Sequence, residues 1–219
     1  MAAQSSREVD RAFDRAVRCL LDLGYPKALG QQSGAYVDAL PPPGWDGAAA
    51  AEGFDRLVLV DPRVPLEVPF KHGNLAHHMP HARIVDVVQA GGPARSSYWI
   101  QAQGGGRYRA RAPRDAIAAF APGERGLTVG EGIALVLQHP DVLQDDHGVD
   151  LPGSRAAGFG VPCLAIWYGK VGLFGRDEGI ASPLYGAATA RIPSHPLPPG
   201  ERGGVGVTEV ERNCGPASS

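Results

Sequence analysis

The chain has 219 residues and a formal net charge of −2, which gives no general pull toward nucleic acid or an acidic membrane surface. Its 30 glycines and 20 prolines are about twice the usual share, so a loop-rich fold is expected. Apolar runs such as Ile133 to Leu137 are too short to span a bilayer, and the polar AAQSSREVDR start has no apolar signal core.

Ser5-Ser6-Arg7-Glu8 is a capping-box pattern and predicts a helix start. Val9, Phe13, Ala16, Val17, Leu20 and Leu21 follow on one helical face. Gly24 is expected to stop this helix and Pro26 to prevent its resumption. A second short helix is expected over 33–40, before Pro41-Pro42-Pro43, and DGAAAAEG at 46–53 reads as a low-complexity loop. Strands are expected at 56–60 (RLVLV) and 83–88 (RIVDVV). Residues 97–103 and 108–111 flank Gly104-Gly105-Gly106 and read as a hairpin. Pro113 opens a short helix through Phe120. Thr128-Val129-Gly130-Glu131 is a second capping box, starting a helix to about Gln138, with a further turn over 140–143. Residues 163–168 are strand-like, and 170–174 continue as a hairpin across Gly169. The Pro-, Gly- and Ser-rich residues 192–219 are expected to be a disordered tail. Strands joined by short glycine turns outnumber helices. The expectation is therefore a single α+β domain over residues 1–191, with a mostly antiparallel sheet and a few packed helices.

Several of these segments, taken in order, resemble one family. They are Leu23-Gly24-Tyr25-Pro26, the Leu127 to Leu135 helix opening (LTVGEGIAL), Gln138 to Leu143 (QHPDVL), Leu151 to Arg155 (LPGSR) and the Val161-Pro162 strand start. Together they resemble an uncharacterised bacterial family, domain-of-unknown-function family 5701, over most of residues 10–190. The resemblance implies no activity, cofactor or catalytic residue.

Four of seven histidines, His72, His77, His78 and His81, fall within residues 72–81. Imidazoles this close can converge on a divalent transition metal, with Glu67 or Asp86 supplying a carboxylate. Pro80 keeps His77 and His81 from forming an i, i+4 pair on a continuous helix, and a solvated loop explains the same residues. Asp145, Asp146 and Asp150 around His147 offer oxygens for a hard cation or simply a polar loop. Arg107, Arg109 and Arg111 alternate, so a strand would put them on one face to hold an anionic ligand, with Tyr98 or Trp99 stacking. The same row would serve as the wet face of an edge strand. Ser154-Arg155 after Gly153 could bind an anion through turn amides and Arg155, or could be an ordinary capped turn. Cys163, inside an apolar run, reads as a buried inert thiol. Cys19, Cys163 and Cys214 form no disulfide or CxxC framework, which fits a reduced cytoplasmic setting.

Two function classes follow. The first is a non-catalytic binding or interaction domain that needs no cofactor, with Arg107, Arg109, Arg111 and Arg155 holding an unidentified protein or a small anionic ligand. The second is a metal-dependent hydrolase with His72, His77, His78 and His81 as ligands. Near-neutral charge argues against nucleic acid, no segment enters a membrane, and no catalytic residue is assigned.

Overall fold

One short strand with two apolar faces sets the architecture. β1 (Arg56–Val60) sends Val58 and Val60 into one core and Leu59 into another, as strand alternation requires. A strand buried on both faces reads as a continuous apolar run, which is the form of RLVLV. The structure, a computed structural model, describes residues 2–88 and 96–191; the tail expected to be disordered, with Cys214, lies outside them.

The Leu59 side of β1 is covered by helices. α1 (Ala2–Asp22) packs Ala16 and Leu20 there, joined by Tyr25 and Tyr36 from α2 (Tyr25–Ala28) and α3 (Ser33–Asp38). α1 begins upstream of Ser5, so the Ser5–Glu8 pattern does not mark its start. Pro26 does not prevent a new helix either: it sits in the first turn of α2, where its missing N–H costs no hydrogen bond. The expected loop at 46–53 is also corrected, because α4 (Gly47–Ala51) forms there. Asp46 caps it by accepting from the Ala48 and Ala49 amides at 2.9 and 3.4 Å, and an alanine run has the best helix propensity available.

Four antiparallel strands form the first sheet, in the order β1, β4 (Tyr98–Gln103), β11 (Thr189–Arg191), β5 (Glu124–Gly126). The second runs β10 (Tyr185–Ala187), β6 (Gly148–Asp150), β8 (Val161–Trp167), β9 (Lys170–Arg176), β2 (Ala76–His77). Its centre is the expected hairpin, closed by Tyr168 and Gly169 at φ 50° and 73°, the positive pair that a two-residue turn demands. Only the pairings of β10 with β6 and of β2 with β9 are parallel among the described residues. A third ladder joins β3 (Ile84–Asp86) to β7 (Ser154–Ala156). Short helices α5 (Glu67–His72) and α6 (Pro113–Ala118) complete the connections. The architecture is α+β with antiparallel-rich sheets.

α7 (Val129–Gln138) shares the main core with both larger sheets: Ile133 and Leu135 join Val58 and Ile100 from one and Leu164 and Leu173 from the other. A helix that is apolar on nearly every side belongs inside, and VGEGIALVLQ has only Glu131 and Gln138 as polar side chains, both buried. At its far end the Gln138 side chain accepts from the Leu59 N–H at 3.0 Å and donates to the Leu59 carbonyl at 2.7 Å. His139 Nε2 lies 3.0 Å from the Leu57 carbonyl, an acceptor, so Nε2 carries the proton.

That imidazole links stability to pH. Burial lowers the pKa of His139 from its usual 6.5, against the Leu57 hydrogen bond; Arg15 and Arg56 add to the fall and Asp141 opposes it. A depressed folded pKa means that stability is complete above 6.5 and is lost as pH falls below that value. His139→Gln, which keeps a donor for Leu57 but cannot titrate, should flatten that acid-side loss. Urea midpoints measured from neutral to mildly acid pH check this, and parallel profiles for the two proteins would contradict it.

The expected hairpin at Gly104–Gly106 is not formed. β4 pairs with β1 and β11, and Gly106–Tyr108 make a turn of 3-10 helix instead. Gln103 explains the departure: it donates to the Ala187 carbonyl and Thr189 Oγ1, both at 2.8 Å, and accepts from the Gly105 amide at 2.7 Å. The chain is thus drawn toward β10 and β11 rather than folded back on β4.

Candidate functional site

The head of α7 is where polar groups are concentrated. Thr128 starts the helix as its sequence predicts, accepting from the Glu131 amide at 3.3 Å while the Glu131 carboxylate accepts from the Thr128 amide at 3.0 Å. Glu131 also takes two guanidinium bonds from Arg125 on β5, at 2.7 and 2.6 Å, and the Tyr98 hydroxyl of β4 at 3.1 Å. Both carboxylate and guanidinium are buried, so each charge depends on the other. Burial, and then the Glu131 charge, hold the Tyr98 phenol well above its usual pKa.

A second clamp of the same make stands at the end of β1. Asp61 takes two bonds from Arg63, at 2.8 and 2.7 Å, and the Tyr36 hydroxyl at 3.0 Å. Asp-Pro-Arg turns the chain there, the Arg63 amide closing back on Asp61 at 3.2 Å.

Between the clamps lies a cleft of about 330 Å³, lined by Asp61, Pro65, Leu66, Ile84, Asp86, Tyr98, Glu131 and the Gly130 turn of α7, among others. Asp86 enters it from β3. Its carboxylate accepts from Ser154 Oγ at 2.5 Å, and that same Oγ accepts from the Val129 amide at 3.0 Å. Ser154 is fully buried and bonded on both sides, so it fastens the β3–β7 ladder to α7 rather than presenting a nucleophile. Burial lifts the Asp86 carboxyl above its usual pKa against the Ser154 hydrogen bond; Glu131 adds to the rise and Arg125 opposes it.

The sequence profile of DUF5701, a family of unknown function, matches residues 20–182. The chain belongs to that family. No curated protein and no solved structure matches it. Every residue lining the cleft, from Tyr25 to Ala134, and Ser154 beside it lie within the span matched by DUF5701.

The site residues expected from sequence are dispersed in this DUF5701 fold. Arg107, Arg109 and Arg111 share no strand face, because Gly106–Tyr108 is a 3-10 turn and Ala110 takes φ 64°. Arg109 binds the Pro183 and Asp146 carbonyls and the Asp146 carboxylate, at 2.9, 2.7 and 3.0 Å. Arg107 and Arg111 sit over the Tyr108 ring at 5.8 and 5.9 Å from its centroid. Arg155 donates to the Pro152 and Ser154 carbonyls of its own turn, and the Gly153 and Ser154 amides are spent on Leu127 and Leu151.

The histidines are spread likewise. His72 ends α5 and His77 stacks on Phe70, its Nδ1 accepting from the Met79 amide at 3.2 Å. His78 stacks on Phe174 with centroids 4.3 Å apart, and His81 is exposed in the following turn. Among the described residues no three His, Cys, Asp or Glu side chains converge to hold a metal ion. His147, whose approach would have joined the two candidate clusters, instead meets the Gly104 carbonyl at 2.8 Å. It precedes β6, and β8 and β9 separate that strand from His77 on β2, about 14 Å at the usual strand spacing. Asp150 is buried against Arg176 at 2.8 Å, while Asp146 is exposed on Arg109, so the aspartates do not share a site. Cys163 is buried as expected, and burial raises its thiol pKa well above the usual value.

Sequence reasoning named Asp86 only as a spare metal ligand, Glu131 only as a cap and Tyr98 only as a stacking ring. Asp61 is legible only as the start of a turn with Pro62, and Arg63, Tyr36 and Arg125 carry no local signal. The Arg63 amide closes that turn on Asp61, whereas Arg125 meets Glu131 only because β5 crosses the head of α7.

Proposed function

We propose that this chain is a non-catalytic ligand-binding domain and that its ligand seats in the cleft at the head of α7. One observation carries the reading. Two Tyr–carboxylate–Arg clamps hold the cleft walls rigid, and the hydroxyl beside them, Ser154, is bonded on both sides. A pre-formed concave site with apolar walls and a few fixed polar groups suits binding, and nothing in it is poised to attack a substrate. The arginines expected to grip an anionic partner are each engaged separately, so the cleft replaces them as the seat of binding. No placement of His72, His77, His78 or His81 favours the metal-dependent hydrolase. Free thiols at Cys19 and Cys163 fit a cytoplasmic location, and no helix among the described residues is long and apolar enough to cross a membrane.

The test is an amide NMR screen of small fragments against the full chain. Saturable shifts are expected at Ile84–Asp86 and Val129–Ala134. Gly130→Leu should remove them. A Cβ at Gly130 meets only the tip of Leu66, at 4.0 Å, so the added side chain has room to occupy the cleft. Replacing a helical glycine offsets about 1 kcal/mol of any packing cost, so the variant should stay folded. Fragment shifts that persist unchanged in Gly130→Leu would place binding elsewhere.

A further inference from the structure

The charge pattern of the cleft narrows the ligand, granted that the cleft is the binding site. Three carboxylates line it, and two are neutralised within the chain: Asp61 by Arg63 and Glu131 by Arg125. Asp86 differs. Among the described residues no cation closes an ion pair on it, and its one hydrogen bond is from the neutral Ser154 hydroxyl. Arg125 is near enough to act on Asp86 through space, but its guanidinium is committed to Glu131 and the Gly126 carbonyl. Among the described residues the cleft lining therefore keeps one carboxylate without a cationic partner, and Asp86 is exposed enough to meet an incoming cation.

The head of a helix ordinarily attracts anions through its free amides. Here three of those amides are taken, and that of Gly130 has no partner among the described residues. Val129 N–H goes to Ser154, Thr128 N–H to Glu131 and Glu131 N–H to Thr128. An incoming anion would find none of these three donors and would face the Asp86 charge. Most of the rest of the wall is apolar, with Val60, Pro65, Leu66, Ile84, Ile133 and Ala134 among its residues. Its volume, about 330 Å³, is at the lower end of ligand-pocket sizes.

We propose that the cleft takes a small apolar molecule bearing a positively charged primary amine, with Asp86 as its counter-ion. The ammonium donates to the Asp86 oxygen surface left free by Ser154, and the alkyl body lies against Ile84, Leu66 and Ile133. No covalent step is involved.

The experiment compares n-butylamine, n-butanol and butyrate, matched in length and differing in charge, by amide NMR titration of the full chain. Butylamine should bind most tightly, with saturable shifts at Ile84–Asp86. Asp86→Asn, which keeps an oxygen for Ser154, should weaken butylamine about ten-fold, the worth of one charge-assisted contact, and leave butanol unchanged. A wild-type arm avoids any question of folding. An alkylammonium stays charged below about pH 10, so butylamine affinity should fall with acidification as Asp86 takes up its proton. Among the described residues the titratable groups facing Asp86 are Tyr98, Glu131 and Arg125, with Glu131 already bonded to the other two. Equal binding of all three probes, or butylamine binding indifferent to Asp86→Asn and to pH, would overturn the amine assignment and leave the cleft as the site. If none of the probes shifts the cleft amides, or if Gly130→Leu changes nothing, the cleft reading falls and takes this inference with it.

Discussion

Glu131→Ala should cost about 4 kcal/mol, a large part of the stability of a typical domain, because among the described residues alone it removes three supports at once. The Arg125 guanidinium would be left buried without its anion, and breaking a buried pair from one side costs about 3–5 kcal/mol. The capping box would open, at about 1 kcal/mol. The Tyr98 hydroxyl would lose its acceptor in a dry setting. These losses overlap and do not add in full. Glu131→Gln retains the N3 cap and an oxygen for Tyr98 while removing the charge, so it should fall between wild type and the alanine variant. Adding Arg125→Met to Glu131→Gln removes the stranded cation and should recover part of the deficit. Urea unfolding of the four proteins measures this. A Glu131→Ala penalty under about 1.5 kcal/mol would mean that the buried pair is not what holds β5 to α7.

Gly153→Ala is the second large effect. The chain passes so close to Gly126 and Leu127 that a Cβ at Gly153 would stand 2.7 Å from both of their carbonyl oxygens. Backbone cannot rotate aside as a side chain can, so the strand crossing must widen, at about 3 kcal/mol. The displacement would reach the cleft through one residue. Ser154 would shift from Val129 and Asp86 together, so fragment response at Ile84–Asp86 should weaken along with stability. Gly34→Ala is the control, since its Cβ meets nothing within 4 Å and it lies in α3. It should be neutral or slightly stabilising. Equal thermal midpoints for the two variants would refute the close crossing.

Much of this fold is legible wherever one short segment decides its own structure. Thr128 and Glu131 cap α7 from three residues apart, Tyr168-Gly169 closes β8 on β9, and the run from Val161 is buried. The failures have a common origin in partners distant along the chain. Arg107, Arg109 and Arg111 have the alternation of a strand, but Gln103 is bound by Ala187 and Thr189, more than eighty residues later, and the chain turns away. Asp46 and the alanines after it hold a local signal, a cap before strong helix formers, which their low-complexity composition masks. The cleft was hidden more deeply. Asp61 follows β1, while Asp86, Tyr98 and Glu131 come from three further elements, and only the packing of β1, β3 and β4 around α7 brings them together.

The grip of Gln138 and His139 on β1 has a consequence beyond anchoring the helix. β1 ends its sheet, and such a strand offers a template for pairing with another chain. The Gln138 amide fills both positions that Leu59 would offer a newcomer, and His139 fills the carbonyl of Leu57. A foreign strand must first peel away the final turn of α7. Resistance to aggregation in this protein is thereby tied to the integrity of that turn, and conditions that fray it will expose the edge before the molecule as a whole unfolds.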